Sequence, residues 1–170
     1  MHRLATYILS IALLAASAIA FAEPVDDRDM KAALIYNFAV FTSWPDIQND
    51  ITICTFDDDR ENLNPKLLKS RKINERRVNF TSIQHVSELQ FCQVIYLEES
   101  GKLRDNNLPK LLEKYSVLSV VDTTKNSTQN GIINIQLINR KYHFSINNEA
   151  AKRAQLLLSS KLLRLATEVY

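Results

Sequence analysis

The stretch VIYLEESGKLRDNNLPKLLEKYSVLSVV, residues 94–121, decides the fold. Val94 to Leu97 and Val117 to Val121 are short, nearly continuous apolar runs, the pattern of strands buried on both faces of a parallel sheet. Between them, Leu108 to about Tyr115 reads as a helix. Strand and helix therefore alternate, the signature of an α/β layered domain.

Working upstream, Ile51 to Phe56 is a β-rich run that ends in Asp57-Asp58-Asp59. A loop and a modest helix around Pro65 to Arg71 follow, and then a strand from Val78 to Ile83. Downstream of Gly131 the register changes. Ile133, Ile135 and Leu137 alternate with polar residues, as do Tyr142, Phe144 and Ile146, and Asn139-Arg140 sits between them as a tight turn. The expected architecture is a three-layer αβα sandwich whose mostly parallel sheet carries an antiparallel edge hairpin. The polar stretch from Thr123 to Asn130 reads as an exposed loop.

A helix at each end flanks this core. In the first, Asp27 to Trp44, residues Met30, Leu34, Phe38 and Phe41 recur at helical spacing, and Pro45 blocks continuation. Ala32, Ala33, Ile35, Ala39 and Val40 make its other side apolar too, so it needs cover on more than one side. The last helix is predicted from Asn148 to Glu168 with Asn147 as N-cap. Its stripe of Ala151, Ala154, Leu158, Leu162, Leu165 and Val169 is widened by Leu156, Leu157 and Leu163. Tyr36, Phe38, Phe41, Trp44, Leu158, Leu162 and Leu165 are accordingly the candidate interface residues, with burial in the domain's own core as the plainer alternative.

Residues 1–22 carry an export signal: Arg3 is the positive start, Tyr7 to Phe21 the apolar centre, and Ala20-Phe21-Ala22 the small-residue cleavage site. Removal of these 22 residues from 170 leaves 148, a size that suits one domain over residues 23–170. Loss of Arg3 brings the net charge from +2 to +1, which points to neither a nucleic acid nor an acidic membrane, and the cleaved product needs no membrane insertion. Outside the cytoplasm the two cysteines, Cys54 and Cys92, favour a disulfide over two buried thiols, and closing that loop is worth roughly 4 kcal/mol.

The chemistry of known enzyme motifs is missing. Only Gly101 and Gly131 are glycine, too few for a phosphate-cradling loop, and no metal-ligand spacing joins the cysteines to His85 and His143. The chain is therefore expected to be no enzyme and to need no cofactor. Asp57, Asp58 and Asp59 form a candidate ligand loop, because open α/β sheets bind ligands at the carboxyl ends of strands. A solvated loop is the plainer reading. The same contrast applies to the basic stretch Lys66, Lys69, Arg71, Lys72, Arg76 and Arg77, which is either a docking site for an acidic partner or a solvated connection. His143 should face away from the core of the hairpin.

Four stretches together resemble the YfiR-like family of periplasmic proteins. They are Lys31 to Ala39 leading to Phe41 and Trp44-Pro45; Ile53-Cys54; Cys92 before Val94-Ile95-Tyr96; and Phe144 to Asn147 continuing through Ala150-Ala151 to Ser159-Ser160-Lys161-Leu162-Leu163-Arg164-Leu165-Ala166. The resemblance implies an α/β sandwich that dimerises and represses a membrane-bound diguanylate cyclase of the YfiN type through its periplasmic part, thereby controlling cyclic di-GMP signalling and biofilm formation. It also implies a disulfide between Cys54 and Cys92. A small-ligand sensor working with a sensor kinase is the alternative.

Overall fold

The computed structural model describes residues 26–45, 50–98, 107–123 and 131–170. Residues 1–22, read above as an export signal, and residues 124–130 of the polar stretch lie outside the described residues. In chain order the elements are helix α1 (Asp27–Val40), strands β1 (Thr42–Ser43), β2 (Ile51–Phe56), β3 (Lys72–Ile73), β4 (Arg76–Ile83) and β5 (Val94–Glu98), helix α2 (Leu108–Lys114), and strands β6 (Leu118–Asp122), β7 (Ile133–Ile138) and β8 (Lys141–Ile146). Helix α3 (Asn148–Arg153), strand β9 (Leu157–Leu158), helix α4 (Ser160–Leu165) and strand β10 (Glu168–Val169) complete them, and three 3-10 turns cover Asp57–Asn62, Pro65–Leu67 and Val86–Phe91. No helix among the described residues is long and apolar enough to cross a membrane.

The main sheet has the order β10-β8-β7-β6-β5-β2-β4-β3. Strands β4, β2, β5, β6 and β7 run parallel, and β8 turns back against β7 as the expected edge hairpin, Ile133 opposite Ile146. The central strands are apolar on both faces because both faces are covered. Ile53, Val94, Tyr96, Leu118, Val120, Ile133 and Ile135 point to the layer holding α1, α3 and α4, where Ile35, Phe38, Ala151 and Leu162 meet them. Cys54, Phe56, Ile95, Leu97 and Val121 point the other way, to the turn at Val86–Phe91 and to α2. The architecture is the three-layer α/β sandwich.

Both terminal helices differ from expectation, and in both cases local hydrogen bonding overrides a smooth apolar period. Helix α1 starts on Asp26, whose carboxylate accepts from Arg28 N at 3.0 Å. It ends at Val40, before Pro45 can act, because Thr42 and Ser43 leave the helix to pair with Leu158 and Leu157. Its deepest face is Lys31, Ala32, Ile35, Phe38 and Ala39, while Met30 and Val40 are exposed. The helix predicted over 148–168 is four short pieces. Asn147 caps the first as expected, accepting from Ala150 N at 2.9 Å. Gln155 then takes a left-handed φ of 59° that stops α3, β9 runs extended, and Ser159 starts α4 by accepting from Leu162 N.

Candidate functional site

The carboxyl ends of the parallel strands converge on one side chain that the sequence reading passed over. Lys31, in the first turns of α1, is 7% exposed. Its Nζ lies 3.0 Å from Asp27, 2.8 Å from Asp122 at the end of β6 and 3.9 Å from Glu98 at the end of β5. Two phenols complete the shell. Tyr96 donates to Asp122 at 3.2 Å and Tyr142 donates to Asp27. Asn62 donates to the other oxygen of Glu98 at 2.8 Å.

One cation thus faces three carboxylates. Burial opposes its charge, but hydrogen bonds from Lys31 to Asp122 and Asp27 outweigh it and hold the ammonium above its ordinary value. Asp27 shows the mirror case: burial works against its carboxylate, while the bonds from Tyr142 and Lys31 hold it below the ordinary range. Burial, reinforced by the neighbouring Asp122, pushes the Tyr96 phenol far upward, so it stays a neutral donor. The named groups satisfy one another. This is an electrostatic lock between helix and sheet, with no nucleophile set against a base.

The acidic triplet is divided, and only its last member adjoins the lock. Asp57 is exposed and hydrogen-bonded to the side chains of Ser82 and Gln84, which holds its carboxyl below the usual range. Asp58 is exposed, and Asp59 is buried, accepting from Glu98 N at 3.5 Å. Among the described residues no group of three or more His, Cys, Asp or Glu side chains is disposed to hold a metal ion.

Cys54 in β2 and Cys92, the residue that ends the turn before β5, form a disulfide with their Cα atoms 5.8 Å apart. It ties the central strand β2 to the connection that returns the chain from β4 to β5.

The interface candidates divide into two groups. Phe38 and Leu162 are each 2% exposed and lie in the protein's own core, Phe38 with its ring 5.0 Å from that of Phe144. They offer nothing to a partner. Tyr36 is half-buried, donating to Lys72 O and covered by the Arg71 guanidinium. Trp44 donates Nε1 to Gln93 O at 3.1 Å. Phe41 is partly buried beneath Lys161, and Ser159 N donates to its carbonyl. The pairing of β1 with β9 brings the end of α1 to the Leu157-Leu158 step, as neither period alone foretold. Beside it Leu157 is 72% exposed, and Leu165 in α4 is 61% exposed. His143 sits across from Gln136 on the sheet face away from α1, as expected.

The fold and these sites define a class: an α/β layered domain, fastened by one disulfide and an ion-pair lock. The chain belongs to the YfiR/HmsC-like family, whose model matches residues 28–167. No curated protein matches. Among solved structures the chain is similar to a conserved domain protein from Vibrio cholerae O1 biovar El Tor, at 12% identity and a TM-score of 0.48, over 83% of this chain and 59% of that one.

Proposed function

We propose that the protein is exported through residues 1–22 and acts in the periplasm by contact, holding a membrane-bound diguanylate cyclase of the YfiN type inactive. The observation that carries this reading is the family match across residues 28–167. The surface offered for contact is the one at β1 and β9, where the half-buried Phe41, Trp44 and Leu158 of the sequence candidates adjoin the exposed Leu157, with Leu165 of α4 as a second exposed candidate. Leu157, 72% exposed, and Leu165, 61% exposed, are large apolar side chains that a protein partner would cover. The same surface is proposed to pair the protein with itself when the cyclase is absent.

Capture from membranes tests the proposal. A tagged copy recovered with mild detergent is expected to bring down a membrane protein carrying a cyclase domain, and Leu157→Asp with Leu165→Asp is expected to lose it. Recovery of a sensor kinase instead would move the protein to the alternative pathway, and recovery of no membrane protein would refute the reading.

A further inference from the structure

At the opposite margin of the sheet from β10 lies a feature that the regulatory reading does not use. Strand β4 pairs along its inner edge with β2 over Val78 to Ile83. Its outer edge is covered by β3 only at Arg76 and Arg77, extended by Val78 N donating to Arg71 O at 3.0 Å. Backbone groups of a strand point to alternate edges, so the outward set after Val78 belongs to Phe80 and Ser82. No described strand pairs with them there. A cavity of about 640 Å³ follows this edge, and its lining includes Arg77, Val78, Asn79 and Phe80 in succession. Consecutive strand residues face opposite sides of a sheet, so only a cavity wrapped round the edge touches all four.

The edge is also strongly basic. Lys69, Arg71, Lys72 and Arg77 line the same cavity. Arg77 is held by Asp50 at 3.1 Å and Lys72 lies 3.8 Å from Glu75, whereas Arg71 stacks on Tyr36 and Lys69 has no carboxylate partner among the described residues. Four cations against two carboxylates leave two positive charges in excess. The turn that sets Lys72 beside Arg77 is a two-residue hairpin with Asn74 and Glu75 at φ 48° and 67°, so the cations are held on a fixed frame.

An open strand edge supplies main-chain hydrogen bonds and a basic rim supplies the charge preference, which together specify the ligand. We propose that the outer edge of β4 receives an extended, acidic segment of a protein partner as an added strand, with Lys69, Arg71 and Lys72 facing its carboxylates. This site is separate from the β1–β9 surface and does not depend on the partner there.

The test uses the disulfide-bonded protein and three probes: a peptide of alternating glutamate and valine, its lysine–valine counterpart, and inorganic phosphate. Binding is followed by NMR, with amide hydrogen exchange read at Phe80 and Ser82. The glutamate peptide is expected to bind, to slow exchange at both amides at least several-fold, and to weaken about tenfold when Lys69→Glu and Lys72→Glu are combined, both side chains being exposed. The lysine peptide is expected not to bind. Binding of phosphate with no protection of the two amides would overturn the proposal in favour of a small-anion site, and equal binding of both peptides, or of neither, would overturn it outright.

Discussion

Lys31 is the residue on which the helix-to-sheet contact turns. It stands in a helix whose neighbouring buried positions are Ala32 and Ile35, and its own side chain is 9% exposed among three carboxylates. Removing a buried cation leaves those carboxylates uncompensated, so Lys31→Met is expected to cost about 3 kcal/mol at neutral pH, measured by urea unfolding. The loss should shrink in acid, where the carboxylates take up protons. The signs follow from the shifts: Asp27, held below its ordinary 3.8, contributes stability present above about pH 4 and lost as pH falls through its folded value. Lys31, held above 10.5, contributes stability present below that value and lost as pH rises through its folded one. A wild-type stability profile flat across pH 3 to 5 would contradict the lock. Little of this was legible in the sequence: Asp27 is an i,i+4 neighbour of Lys31 on the same helix, but Glu98 and Asp122 join them only through the sheet order. A lysine on the buried face of an apolar helix was the available signal. Gly131 is a plainer case, since a Cβ there would lie 2.6 Å from Val121 Cγ2 and 3.1 Å from the carbonyl oxygens of Ser119 and Ile133. Gly131→Ala is expected to cost about 1–3 kcal/mol, read as a lowered Tm.

At the level of elements, what could be read were features with strong local chemistry. Asn139-Arg140 takes left-handed φ values of 51° and 62°, the turn expected between alternating flanks. The hairpin at Asn74-Glu75 has the same geometry, yet its flanks Lys72-Ile73 and Arg76-Arg77 show no alternation, so it passed as a connection. The last helix misled for the opposite reason: its leucines keep a helical period across a break made by the conformation of Gln155 and the cap of Ser159. Gln155→Gly relieves the left-handed position and is expected to leave stability unchanged or raise it by up to about 1 kcal/mol, measured by urea unfolding. A loss above that would show a helical preference at this position. The disulfide is the remaining clamp between elements. Cys54→Ala with Cys92→Ala is expected to lower stability by about 2–4 kcal/mol, measured against the oxidised protein, and equal stability of the two would contradict a structural role.

Over the whole molecule, the sequence signalled the layered α/β fold because burial on both faces leaves uninterrupted apolar strands, and the pairing of β1 with β9 was hidden because two-residue strands leave no periodicity. That pairing sets Leu157 at the end of α1, and the proposed regulatory contact rests on it. The most direct measurement is the cellular cyclic di-GMP level in a strain lacking the protein, complemented by wild type or by Leu157→Asp with Leu165→Asp. The account predicts a raised level without the protein, a return to normal with wild type, and no return with the folded, exported variant. An unchanged level in the deletion strain, or full restoration by the variant, would contradict it.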